Sequence, residues 1–158
     1  MAIFTSAGTT LRVTATAPSA FTSVGYNTLF TASPVPAAVG EITDLGEFGR
    51  EFALVTHNPV GTRGTQKFKG SFNEGTVSLS LGLDTDNAGQ IIMKAAALSD
   101  ANYSFMVTTQ SGDRYFFQAK VMSFKVAVGS VDSITTATCS LEITTNAAGI
   151  GIVESLAV

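Results

Sequence analysis

The chain has 158 residues, enough for one domain that buries about two-thirds of its unfolded surface without help from a disulfide or a metal. Only 13% of the residues are charged and the formal net charge is −3, which argues against a nucleic-acid grip, since that requires a basic face. The single cysteine, Cys139, excludes an internal disulfide, no apolar run approaches the roughly 20 residues of a membrane-spanning helix, and the opening MAIFTSAGTT lacks the basic and long apolar regions of a secretory leader.

Thr and Ser number 21 and 15, and together with Val, Ile and Phe they favour strands. Thr10 to Thr16 alternates, with Leu11, Val13 and Ala15 on one face. Two strands are predicted next, Val39–Leu45 and Glu51–Thr56, with Gly46 and Gly49 marking the turn between them. The stretch from His57 to Gly75 is polar and rich in glycine, and reads as a long functional loop. It carries Arg63, Lys67 and Lys69, whereas the segment before it carries Glu41, Asp44, Glu47 and Glu51.

Thr76 to Leu81 alternates again, placing Val77, Leu79 and Leu81 inward. One helix is predicted after Asp84 and Asp86: Asn87 and Gln90 have capping-box spacing, and Ala88, Ile91, Ile92, Ala95 and Leu98 recur every three or four residues, with Lys94 off that stripe. Tyr103–Thr109 and Arg114–Val126 flank a short turn at Gln110–Asp113 and predict a hairpin. In its second arm Tyr115, Phe117, Ala119 and Val121 share one phase, and Met122, Phe124 and Val126 take the other, so a bulge or bend is expected near Val121. Such a bend carries a strand between two crossed sheets. Thr136 to Ile143 places Ala137, Cys139, Leu141 and Ile143 on one face. The stretch 146–158 is mostly Ala, Gly and aliphatics, with Ile150, Ile152, Val153 and Leu156 better suited to another protein surface than to water.

Chemistry is sparse. His57 is the only imidazole, and no G-x-S-x-G accompanies it. Cys139 on an apolar strand face reads as a small core residue. A zinc site lacks ligands. Asp84-x-Asp86 resembles the start of a calcium loop, but Ala88 and Ala95 occupy ligand positions, and a helix cap explains the aspartates. Gly61, Gly64 and Lys67 do not have the spacing of a phosphate loop. The Asn102-Tyr103-Ser104 sequon is read as chance, and no aromatic stripe is interleaved with basic residues for base stacking. These negatives favour a structural or interaction protein over an enzyme and predict no cofactor.

Four words in order carry a family resemblance: FGREFALVTHNPVGTRGTQKFKGSFNEG, LGLDTDNAGQ, SDANYSF and VMSFKVAVGSVDSITTATCSLEIT. Over Val39 to Thr145 the chain resembles the major tail tube protein of long-tailed, non-contractile bacteriophages. The resemblance implies a mainly β fold, two β-sheets packed crosswise into a sandwich or flattened barrel with one flanking α-helix, as a single domain over residues 1–158. It implies six copies per ring and rings stacked into a hollow tube around a tape-measure protein. Tail terminator or tip proteins are the other expected partners. DNA later passes through the lumen without specific binding, and no membrane is involved. The location implied is the virion, after assembly in the host cytoplasm. A long loop between subunits corresponds to residues 57–75, with His57, Asn58, Arg63, Lys67, Lys69 and Asn73 as stacking residues. The helix flank is Ile91, Ile92, Ala95 and Leu98, and 146–158 is a C-terminal arm.

Physics is consistent with that reading. A neighbour in a ring covers the free sheet edge of each subunit, and obligate interfaces beyond about 2,000 Å² are apolar. Six copies at −3 each carry −18 per ring, which repels DNA wherever acidic residues lie within a screening length of about 8 Å. The alternative from the same fold group is the tube of a type VI secretion system or related contractile device. A ligand-binding barrel or hydrolase is the alternative of another class, and it lacks a motif.

Overall fold

The computed structural model describes residues 3–157. In chain order the elements are β1 (Thr10–Thr14), α1 (Ser23–Thr31), β2 (Ala37–Val39), β3 (Ile42–Asp44), β4 (Glu51–His57), β5 (Gln66–Asn73), β6 (Thr76–Gly82), α2 (Ala88–Ala97), β7 (Tyr103–Thr108), β8 (Arg114–Ala127), β9 (Thr136–Thr144) and β10 (Val153–Ser155). Eight strands form one antiparallel sheet in the order β2-β1-β7-β8-β9-β6-β3, with β10 beside β8. The remaining pair, β4 and β5, forms a two-stranded sheet of its own.

The 14-residue β8 is the spine. Its first half lies between β7 and β10, and its second half pairs with β9. Val121 faces Leu141, but Ser123 already faces Ser140, so Met122 is an extra residue. The bulge sits where the phase slip predicts it. It realigns Phe124 with Cys139 and Val126 with Ala137, which keeps the apolar series on one side of the strand despite the change of phase.

The two halves of the sheet face each other. Leu11 and Val13 of β1 and Phe105 and Val107 of β7 meet Val77, Leu79 and Leu81 of β6 and Cys139, Leu141 and Ile143 of β9 in one buried cluster. The fold is therefore sandwich-like, with the layers supplied by one continuous sheet. Helix α2 closes the cluster with Met93 and Ala96. Gly89 lets it approach β2, since a Cβ there would run into the Ala38 carbonyl.

The helix is where the sequence reading predicts it, but it presents a different face to the core. Gly89, Gln90, Met93 and Ala96 are buried, whereas Ile91 and Leu98 are 53% and 90% exposed. Ala88 and Ala95 are also exposed, and only Ile92 of the predicted stripe packs partly against the core. The period of the pattern is right and its phase is wrong: both sides of this helix are apolar enough to pass for the buried one. Half of the capping box forms. Asn87 Oδ1 accepts from the Gln90 backbone N–H at 3.0 Å, but the Gln90 side chain does not return the bond. Its Nε2 donates to the carbonyls of Gly40 (3.0 Å) and Gly82 (2.9 Å), and its Oε1 accepts from the Asp84 N–H at 3.0 Å.

A second helix, α1, has no strong signal in the sequence. SVGYNTLFT is poor in helix formers. It forms because Thr22 caps it, accepting from the Gly25 N–H at 3.2 Å, and because Tyr26 and Phe30, four residues apart, both meet Phe116 on the outer side of the sheet. The Tyr26 and Phe116 rings stack at 5.2 Å. The predicted strand Val39–Leu45 is also divided: Gly40 and Glu41 interrupt it, and Glu41 adopts φ 60°.

Candidate assembly surfaces

The stretch 57–75, read from sequence as a loop, contains the eight-residue strand β5. His57 ends β4, Gln66–Asn73 is β5, and only residues 58–65 form the turn between them. Every residue of β4 is exposed, and so is all of β5 except the half-buried Gly70. An isolated two-stranded hairpin is at best marginally stable in water, so this one depends on its own side chains and on its root.

Phe52 faces Phe72 across the ladder, and a bulge then brings Leu54 opposite Lys69 and Thr56 opposite Lys67. The Phe52 and Phe72 rings lie 5.6 Å apart, and Lys69 Nζ sits 4.8 Å above the Phe52 ring. The other face carries Val55 opposite Phe68 and His57 opposite Gln66. At the root, Arg50 stacks its guanidinium 3.8 Å over Phe72 and donates from Nε to Glu74 Oε1 at 2.9 Å. Glu74 itself is buried.

The stacking residues expected from sequence are thus spread along the hairpin. His57, Asn58, Arg63 and Lys67 lie at its far end, and Lys69 lies midway. Asn73 is a root residue whose Oδ1 accepts from the Gly75 N–H at 2.9 Å. Sequence reading missed the aromatic residues of the hairpin, Phe52, Phe68 and Phe72, and missed Arg50 and Glu74. Alternation of Phe52, Leu54 and Thr56 was the available signal. The Arg50–Glu74 contact is the one ion pair among the described residues, which leaves Arg63, Lys67, Lys69 and the acidic Glu41, Asp44, Glu47 and Glu51 without ionic partners there.

A second surface lies over α2. Its outer residues Ile91, Ala95 and Leu98, with Leu83, Phe124 and Val126, line a groove of about 420 Å³. Beyond it, Val128, Val131 and Ile134 stand exposed in the connection from β8 to β9.

The stretch 146–157 lies against its own chain, and Val158 is outside the described residues. Strand β10 pairs with the start of β8, Val153 facing Phe116. Ala157 N–H donates to Asp113 Oδ1 at 2.8 Å, and the Ser111 hydroxyl donates to Asp113 Oδ2 at 2.6 Å. The Ser111 bond, and then the Ala157 bond, hold the Asp113 carboxyl below its ordinary pKa. Ile150 and Leu156 remain exposed.

The reactive side chains do not converge. Cys139 is buried, and burial pushes its thiol up to about 11. His57 lies on the hairpin, away from the core that holds Cys139. Among the described residues no group of three or more His, Cys, Asp or Glu side chains is placed to hold a metal ion.

No protein-family model and no curated protein sequence matches the chain. Solved structures do. A chain of the anti-feeding prophage baseplate aligns with TM-score 0.64 at 12% identity, covering 91% of this chain and 93% of that one. A chain from the sheath/tube terminator of the extracellular contractile injection system PVC, in its extended state, aligns with TM-score 0.59 at 7% identity over 98% of both. The SPP1 tail tube protein aligns with TM-score 0.56 at 14% identity, over 80% of this chain and 72% of that one. The chain therefore has the tail-tube fold, common to a phage tail tube and to components of contractile injection systems.

Proposed function

We propose that the chain is a structural, non-enzymatic subunit of a phage tail tube, which assembles into hexameric rings that stack as a hollow conduit. The observation that carries this reading is the β4–β5 hairpin. It has the tail-tube fold behind it, both of its strand edges are unpaired among the described residues, and Leu54, Val55, Phe68 and Phe72 are exposed along it. An exposed strand pair of this kind is a liability in a monomer and a connector in an assembly. The sixfold symmetrisation of the anti-feeding prophage baseplate structure supports six copies per ring. In this reading the hairpin, with Arg63, Lys67 and Lys69, joins one ring to the next. The α2 flank with Ile91, Ile92, Ala95 and Leu98 is a further contact surface, and the stretch 146–158, held on its own chain through β10, adds contacts through the exposed Ile150 and Leu156. A tape-measure protein fills the tube during assembly, terminator and tip proteins close its ends, and DNA passes through without specific binding. The assembly belongs to the virion and is built in the host cytoplasm.

Negative-stain electron microscopy of the purified protein tests this. Rings or tubes of uniform diameter are the expected result, and a particle that stays monomeric at every salt and pH condition overturns it.

The TM-scores favour one second reading. The anti-feeding prophage baseplate chain and the chain of the extracellular contractile injection system PVC both align better than the SPP1 tube, so a tube subunit of a type VI secretion or related contractile device is the alternative. Particles isolated from the producing cells decide between them: a bare tail supports the first reading, and a tube inside a contractile sheath supports the second.

A further inference from the structure

We infer that the groove between α2 and the end of β8 is the receptor for the β4–β5 hairpin of a second copy of this chain. This rests on the tube reading and names the surface on which the hairpin lands.

The two surfaces sit at opposite ends of one strand. The hairpin joins the body through Gly75 at the first residue of β6, Thr76, and the groove opens at Leu83, directly after the last residue, Gly82. The seven residues of β6 separate them by about 20 Å. To enter its own groove the hairpin would have to turn back along the sheet, which would bury one of its faces. Both faces are exposed, so it leads away from the body. Two unlike patches at opposite ends make a head-to-tail contact, which builds a ring or a stack rather than closing a pair.

Their chemistry fits. The groove floor is Leu83, Ile91, Ala95, Leu98, Phe124 and Val126, and the hairpin offers Leu54, Val55 and Phe68. At the groove, Asp84 lies in the wall, with Asp86 and Asp100 before and after α2; Lys94 in the wall, Lys125 on the other face of β8 and Lys120, which donates to the Asp100 carbonyl, balance them, so the match is carried by the apolar floor and Asp84 and Asp86 are the acids open to an incoming cation. The hairpin carries Arg63 and Lys67 toward its tip, Lys69 midway and Glu51 at its root. Neither the three aspartates nor the three hairpin cations have an ion-pair partner among the described residues.

Cross-linking tests the match. Val60 stands fully exposed in the hairpin turn and Leu98 is 90% exposed beside the groove. V60C and L98C are placed in separate chains that also carry C139A, mixed, assembled and treated with a short bis-maleimide. A V60C–L98C linked pair that forms in the assembled mixture and is absent from the unassembled one is expected. Tubes that form without this product overturn the receptor while leaving the tube reading intact, and failure to assemble overturns both. If C139A does not fold, the same pair is used with the buried Cys139 retained and the linked peptides identified by mass spectrometry. In parallel, L98D changes only an exposed position. It is expected to stay folded and to shorten tubes at least tenfold, and tubes of unchanged length overturn the assignment.

Discussion

Arg50 donates from its Nε to Glu74 Oε1 at 2.9 Å while its guanidinium lies 3.8 Å above the Phe72 ring. One side chain thereby ties the entry of the hairpin, its exit strand and the body together. Glu74 is 2% exposed and Arg50 40% exposed. Gly151 closes over the carboxylate, where a Cβ would crowd the Glu74 side chain, so the same contact reaches the segment that leads into β10. Arg50→Ala leaves this carboxylate buried and unpaired. The expected loss is about 2–3 kcal/mol, below the roughly 3–5 kcal/mol of a fully buried pair because Arg50 is partly solvated. Glu74→Gln should cost less, since a neutral amide tolerates the site better. Urea unfolding of the two variants and of the parent checks the order; equal stability of all three would show that the contact is not formed in solution.

Leu79 lies at the centre of β6, 1% exposed and opposite Cys139. Leu79→Ala should cost about 2–5 kcal/mol through lost transfer energy and the cavity left behind. Leu79→Asp should abolish folding, because it places a lone charge among Val77, Leu81 and Leu141. Circular dichroism and size-exclusion profiles distinguish the outcomes. A folded Leu79→Asp protein would mean that the inward face of β6 is misassigned.

The strands of the core were legible because their alternation is strict. Val77, Leu79 and Leu81, and Ala137, Cys139, Leu141 and Ile143, all lie inward as read, and the bulge at Met122 follows from the phase change at Val121. The face of α2 was not legible. Its outer residues Ile91 and Leu98 are as apolar as the buried Met93 and Ala96, so periodicity alone cannot choose between them. Helix α1 was invisible because tertiary contacts of Tyr26 and Phe30 with Phe116 hold a sequence of weak propensity. The hairpin was half read. Its glycines and polar residues suggested a loop, while the cross-strand contact of Phe52 with Phe72, which makes it a strand pair, joins residues 20 positions apart.

The Gln90 side chain satisfies two carbonyls and one N–H from two separate segments while 2% exposed. Gln90→Ala strips partners from Gly40, Gly82 and Asp84 together. Each buried group left unsatisfied costs on the order of 1–3 kcal/mol, offset where water enters. The expected total is about 2–4 kcal/mol, with β3 and the start of α2 losing amide protection first. Hydrogen exchange checks this, and protection unchanged at Gly82 and Asp84 would refute it.

Charge reversal of Arg63, Lys67 and Lys69 to Glu alters only exposed hairpin positions. Lys69 loses its place over Phe52, a contact worth about 0.5–1 kcal/mol at an exposed site. The body has its own core, so its melting temperature should hardly change. Stacking should weaken because Asp84 and Asp86 at the groove would then meet glutamates in place of cations. Tube length by electron microscopy and the melting curve of the body are the two readouts. Tubes of normal length in the triple variant would exclude these cations from the contact between rings.

High pH should loosen the subunit through two buried acids. Burial raises the Cys139 thiol from 9.0 to about 11 and the Tyr26 hydroxyl from 10.0 to about 12. In both cases the folded chain keeps a proton that the unfolded chain releases earlier. Their contribution to stability is fully present below pH 9, where both states are protonated. Between pH 9 and 12 the unfolded state binds fewer protons, and stability falls with rising pH. Cys139→Ala removes the part of that fall between pH 9 and 11, and Tyr26→Phe removes the part between 10 and 12, although each variant starts from a lower stability at neutral pH. Urea midpoints measured from pH 8 to 11.5 give the slopes. A parent protein whose midpoint does not decline across that range would show that neither group is held in its protonated form by the fold.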